Sequence, residues 1–237
     1  MTGEWEVFNI DIKPKKDDNF KIAAFRLVVP KNIKEIKSIL SINPGINGDG
    51  REWWKDEHRK AFAIKNQCAI LCSYFLTPDS FDYNDYLAGN QSGLKHYVSA
   101  QHGSGDTYFS ALDKLLKKAK IKDGDKLPIY LFGHSAGGIF NYSLTQFKPN
   151  RIAAFTVCKA AEPYPLPNKE MLKTPGIFFI GELDLNRRNG NIETIYNYRK
   201  EYSPWFLVRE ADKDHDMGMC EYFAQAFFER IMKQNKK

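Results

Sequence analysis

Apolar positions along this chain alternate between two spacings. One set forms short, nearly unbroken runs. These are "FKIAAFRLVV" at 20–29, "IKSILSI" at 36–42, "QCAILCSYF" at 67–75, "PIYLF" at 128–132, "IAAFTVC" at 152–158, "GIFFIG" at 176–181 and "WFLVRE" at 205–210. They are rich in β-branched and aromatic residues and stop at turn-forming or charged ones, so they read as strands. The other set has helical spacing. At 107–119, Phe109, Leu112, Leu115, Leu116 and Ala119 share one helical face. Helical patterns also begin near Ala136, run around 191–201 and close the chain over 220–234. Another, with Trp53, Trp54 and Phe62, follows the 36–42 strand. The first nineteen residues are mostly polar and yield no element in this reading.

Strands alternating with helices predict an α/β architecture of three layers, a mainly parallel, twisted sheet with helices on both faces. Runs such as "AILC" and "IFFI" carry no polar face, which fits strands covered on both sides. The length of 237 residues fits one domain over 1–237. In such sheets ligands sit at the carboxyl ends of the strands, so chemistry is sought just after each run. One connection is long: residues 76–105 are tyrosine-rich and turn-rich, and are expected to form a wall of the site or a surface excursion.

Composition narrows the classes. With 43% hydrophobic and 27% charged residues the chain has material for a sizeable core. Its formal charge of +6 comes from scattered lysines without a dense basic block, which argues against a nucleic-acid partner. No run is long enough to span a bilayer, and the N-terminus lacks the zones of a signal peptide. A removed leader is compatible with that, so compartment stays open, as does the choice between monomer and homodimer. Of the four cysteines, Cys68, Cys72 and Cys158 fall in or beside predicted strands and are expected to behave as small hydrophobes. Cys220 completes the set. No His/Cys cluster has zinc spacing, so neither metal nor cofactor is expected.

The chemistry concentrates at "LPIYLFGHSAGGIFNYSLTQF", residues 127–147. Gly133-His134-Ser135-Ala136-Gly137 matches G-x-S-x-G, the nucleophile-elbow pattern. Such a match arises by chance in roughly one chain in ten of this length. Its position adds weight, because it falls where a strand stops and a helix starts. A tight strand-to-helix turn brings backbones close, and side chains at 133 and 137 would collide there. The helix N-terminus also favours negative charge developing beside the serine.

A serine hydroxyl needs a base, and the base needs an orienting acid. One recurring chain order is serine, acid, histidine. Of five histidines only His215 lies downstream of the serine's neighbour His134, just past the last strand. The acid should follow the preceding strand, where "GELD" offers Asp184, with Glu182 as runner-up. An oxyanion hole needs two N–H donors. Ala136 supplies one. The other comes from "NPGINGDG" after the 36–42 strand, with Ile46 first and Asn47 next. That loop lacks the Lys-Ser/Thr of a phosphate-binding loop. Trp53, Trp54, Tyr74, Phe75 and Tyr164 are candidates for an aromatic substrate pocket, or equally for packing helix on sheet.

"NPGINGDG", "GHSAGG", "GELD" and "DKDHDMG", in this order over residues 43–218, resemble the α/β-hydrolase superfamily. Within it the chain looks most like the branch of feruloyl esterases, acetylxylan esterases and polyhydroxybutyrate-depolymerase-like esterases. The loop has Pro44-Gly45 where His-Gly is common. The resemblance implies a fold without a large lid domain. It implies Ser135 as nucleophile, His215 as base, Asp184 as acid, and Ala136 and Ile46 as oxyanion donors. The implied activity is a serine carboxylesterase acting on small acyl or aryl, or carbohydrate-linked, esters. The alternatives are a serine peptidase and a non-catalytic binding module on the same fold.

Overall fold

The computed structural model describes residues 4–82, 84, 96–160, 165–199 and 201–234. Eight strands form one sheet in the order β1-β2-β4-β3-β5-β6-β7-β8. They are β1 (Trp5–Ile12), β2 (Ile22–Pro30), β3 (Ser38–Asn43), β4 (Cys68–Leu76), β5 (Ile129–Gly133), β6 (Ile152–Cys158), β7 (Gly176–Gly181) and β8 (Trp205–Glu210). The pairs β1/β2 and β2/β4 are antiparallel. From β4 to β8 every pair is parallel. The parallel strands therefore discharge their following loops at one end of the sheet.

Among the described residues five α-helices of ten residues or more flank it: α1 (Glu57–Asn66), α2 (Ser104–Lys118), α3 (Ala136–Phe147), α4 (Asn186–Asn197) and α5 (Cys220–Gln234). The faces of the sheet carry separate apolar clusters. On one, Tyr108, Leu112, Phe140 and Ile192 from α2, α3 and α4 meet Phe25, Leu71 and Phe155. On the other, Phe62 of α1 and Cys220 and Phe228 of α5 meet Ile70, Tyr130 and Phe179. This is the three-layer arrangement that alternating spacings predict. The six residues of β3 are all buried, as its uniform run requires. Helix α1 starts where Asp56 accepts the N–H groups of His58 and Arg59, and ends at Gln67 in the left-handed region.

Three expectations are corrected. Strand β1 lies in the stretch read as featureless. Phe8, Ile10 and Ile12 alternate inward against the core, the half-buried pattern of an edge strand, which is weaker than a continuous run. Helix α4 begins at Asn186, five residues before the expected 191. Its first turn is polar, so the apolar signal starts only at the buried Ile192 and Ile195. The third concerns the cysteines. Cys68 and Cys72 are buried thiols outside any disulfide, and burial pushes the Cys72 thiol up to about 12. Cys158 is instead disulfide-bonded to Cys220 across 62 residues of sequence, joining the end of β6 to the first residue of α5. Spacing along the chain carries no trace of that pairing.

Candidate active site

Ser135 occupies the turn between β5 and α3 with φ +53° and ψ −125°, a conformation that L-residues rarely adopt. The surrounding backbone fixes it. Its N–H donates to the Cys158 carbonyl at 2.8 Å, and its carbonyl accepts the Gly138 N–H at 2.9 Å. The glycines are steric requirements. A Cβ at Gly133 would run into the Gly137 backbone, and one at Gly137 into the Asn43 carbonyl. Beneath the turn lies a buried polar chain. Ser73 Oγ donates to Asn43 Oδ1 at 2.6 Å and Asn43 Nδ2 to Asn141 Oδ1 at 2.7 Å. Asn141 Nδ2 continues to the Thr156 carbonyl at 3.1 Å, and Thr156 Oγ1 accepts the Gly133 N–H at 3.1 Å. Paired throughout, these groups tie four strands and α3 together under the serine.

His215, 80 residues downstream, places Nε2 3.0 Å from Ser135 Oγ. Its Nδ1 lies 2.9 Å from Asp184 Oδ2. An ionised carboxylate only accepts, so Nδ1 carries the proton and a bare Nε2 faces the serine hydroxyl, which donates to it. The other oxygen of Asp184 accepts from Arg188 Nη1 at 3.0 Å and the Leu185 N–H at 2.8 Å. Burial disfavours the Asp184 carboxylate. The hydrogen bonds from His215, Arg188 and Leu185 outweigh it and hold the carboxyl below its usual range. Glu182, the runner-up acid, instead accepts the Asp212 N–H at 3.1 Å.

His134 turns back toward the site. Its Nε2–H donates to the His215 carbonyl at 2.8 Å, and the two rings lie 5.1 Å apart. Burial, then the neighbouring His215, lowers its pKa. The loop after β3 lies against the serine, since a Cβ on Gly45 would sit 3.6 Å from Ser135 Cβ. Ile46 is 37% exposed at its crest, and the Ala136 N–H opens α3. Asn47, with φ +55°, directs Oδ1 to the Thr77 N–H at 2.9 Å, so its side-chain carbonyl holds the loop.

The aromatic candidates divide. Trp53 lies under the Arg59 guanidinium at 5.2 Å, and Trp54 packs on Trp5 at 5.8 Å. Both pack against the α1/α5 face of the sheet. Tyr74 lies under Arg51 at 5.5 Å. Phe75 is buried and stacked on Tyr97. None of these contacts joins them to Ser135. Tyr164 lies outside the described residues, as do 83 and 85–95 of the long 76–105 connection. Two side chains bonded to the site escaped the sequence reading: Arg188 and Asn141. Asn141 gives one signal, a polar residue interrupting an apolar helical pattern, whereas Arg188 sits in a polar run and gives none. No group of three or more metal-ligating side chains occurs among the described residues. No described helix is long and apolar enough to cross a membrane.

No family model and no curated protein sequence matches the chain. Solved structures do. A thermostable esterase superposes with a TM-score of 0.66 at 15% identity, over 96% of this chain and 62% of that one. LpqC, a poly(3-hydroxybutyrate) depolymerase from Bordetella parapertussis, gives 0.66 at 15% identity, over 96% of this chain and 90% of that one. Poly(aspartic acid) hydrolase-1 from Sphingomonas sp. KT-1 gives 0.63 at 18% identity, over 94% and 98%. The chain thus spans under two thirds of the esterase's length and nearly all of the other two. Strand order, helix placement and these superpositions together identify the fold as that of the α/β hydrolases.

Proposed function

We propose that this chain is a serine carboxylesterase, with its whole length forming one catalytic domain. The observation that carries the reading is the continuous relay from Ser135 Oγ through His215 to Asp184, at 3.0 and 2.9 Å. His215 takes the hydroxyl proton on Nε2 as Ser135 attacks the ester carbonyl carbon. The Ala136 and Ile46 N–H groups receive the developing oxyanion; neither donates to another described residue. The alcohol leaves with the proton from His215. Water, deprotonated by the same nitrogen, then releases the acid and restores the serine. Asp184, kept ionised by Arg188, stabilises the imidazolium in both steps.

Ester substrates are favoured because the structural neighbours include an esterase, a poly(3-hydroxybutyrate) depolymerase and a ferulic acid esterase. Small acyl or aryl esters are the proposed substrate class. Trp53 and Trp54 are engaged in packing, so an aromatic pocket built on them is not part of the proposal.

A fluorophosphonate probe tests the nucleophile without knowledge of the substrate. Labelling should map to Ser135. The Ser135→Ala variant should fold normally and lose at least about 10³-fold in p-nitrophenyl acetate turnover. Undiminished turnover in that variant would sink the proposal.

A further inference from the structure

Lys159 follows Cys158, whose carbonyl holds the Ser135 N–H, and stands at the end of β6. Its side chain is fully buried and its backbone is in the left-handed region, at φ +46°. Nζ lies 3.0 Å from Glu210 Oε2 and 3.4 Å from Asp216 Oδ1. Those carboxylates bracket His215: Glu210 ends β8, and Asp216 is the next residue along. Glu210 Oε1 also accepts the Met219 N–H at 2.6 Å. Gly218, at φ +47°, leaves room for that carboxylate, which a Cβ would strike. One buried ammonium thus holds the segment carrying the base before, beside and, through Glu210, after the imidazole.

Burying an ammonium is costly unless its partners offset it, and an apolar residue often fills such a site at less cost. A charge here, beneath the base loop, calls for a role beyond packing. We infer that Lys159 is a positioning residue for His215: through Asp216 and Glu210 it fixes the base loop to the strand end that also holds Ser135. This rests on the esterase reading. The ammonium itself touches no reacting atom.

The test compares kcat and KM on p-nitrophenyl acetate with melting temperature. Asp216 is half-exposed, so Asp216→Asn should melt like the wild type. Its kcat should fall about tenfold with KM little changed, because a displacement of well under 1 Å at the base is enough. Lys159→Met should lose on the order of 10–100-fold in kcat, and the double variant no more than Lys159→Met alone, as expected for one linked unit. Arg151→Met serves as control. It breaks a pair with Asp113 at the opposite end of β6 and should lower stability while leaving kcat intact. Wild-type kcat in Asp216→Asn overturns the inference, even if Lys159→Met fails to fold. Full activity in Ser135→Ala overturns the esterase reading and the inference with it. Loss in Ser135→Ala with wild-type kcat in Asp216→Asn overturns the inference alone.

Discussion

The Nε2–H of His134 donates to the backbone carbonyl of His215 at 2.8 Å, so the residue beside the serine holds the main chain of the histidine facing it. The His134 ring bonds to the His215 main chain, while His215 Nε2 faces Ser135 Oγ. His134 thus ties the two loops together. Removing one such bond from a half-buried site costs about 1 kcal/mol. His134→Ala should therefore lower stability by about that amount and reduce kcat about tenfold through a looser base loop. Urea unfolding midpoints and p-nitrophenyl acetate kinetics check both. Unchanged kcat would show that His215 holds its place without this bond.

Arg188 should hold the Asp184 carboxyl ionised to lower pH and so shape the acid end of the stability profile. Its guanidinium is 3.0 Å from Asp184 Oδ1 and is one of the groups depressing that carboxyl. A carboxyl depressed in the fold stabilises it above the unfolded value of about 3.9, and that contribution is lost as pH falls through the lower folded value. Arg188→Met removes a favourable charge, so the folded carboxyl titrates higher and the contribution shrinks. Unfolding free energies between pH 5 and 2.5 should therefore fall less steeply with decreasing pH in Arg188→Met than in the wild type, and parallel slopes would refute the assignment.

What was legible in the sequence follows from where information sits. Ser135, Asp184 and His215, which the structure brings within hydrogen-bond distance in series through His215, each lie just past an apolar run, and strand ends are easy to see in sequence. Their convergence into one relay follows from parallel strand order. Asn141, Lys159 and Arg188 were not legible as site components. Each acts through a partner distant in sequence or on another element, and only register and helix phase bring the pair together. β1 was missed because a half-buried edge strand alternates weakly, and Cys158–Cys220 because pairing depends on three-dimensional distance alone. Trp53 and Trp54, open in sequence between a substrate pocket and packing, make packing contacts in the structure. Aromatic residues near a site are conspicuous in sequence whether they face a substrate or the core.

His96 should make the fold acid-sensitive above the range where carboxylates titrate. It is 1% exposed, its Nδ1 accepts the Val98 N–H at 3.1 Å, and burial lowers its pKa to about 3. An unfolded histidine titrates near pH 6.5, roughly its unperturbed value. Between that pH and about 3 the unfolded chain binds one more proton than the folded one. Stability from this residue is complete above pH 6.5 and declines as pH falls toward 3. His134, also lowered, adds in the same direction. Unfolding free energies between pH 7 and 4.5 should fall with decreasing pH, and His96→Gln should have a shallower slope. Parallel slopes would mean that His96 protonates without opening the fold.

The disulfide should be worth more to stability than its single bond suggests. Cys158 and Cys220 close a 62-residue loop. Constraining a loop of that length in the unfolded chain stabilises the fold by about 4 kcal/mol in the chain-entropy account. The link also joins the strand end that holds the Ser135 N–H to the start of α5, just beyond the base loop. Treatment with a dithiol reductant should lower the melting temperature by several degrees. The Cys158→Ala/Cys220→Ala variant should show the same loss and no further response to reductant. Cys68 and Cys72 take no part in a disulfide, so Cys68→Ala/Cys72→Ala should retain the wild-type response to reductant. Activity should decline less than stability, because the relay through His215 is also held by His134 and Lys159. A melting temperature indifferent to reductant in the wild type would rule out the bond as a stabilising link.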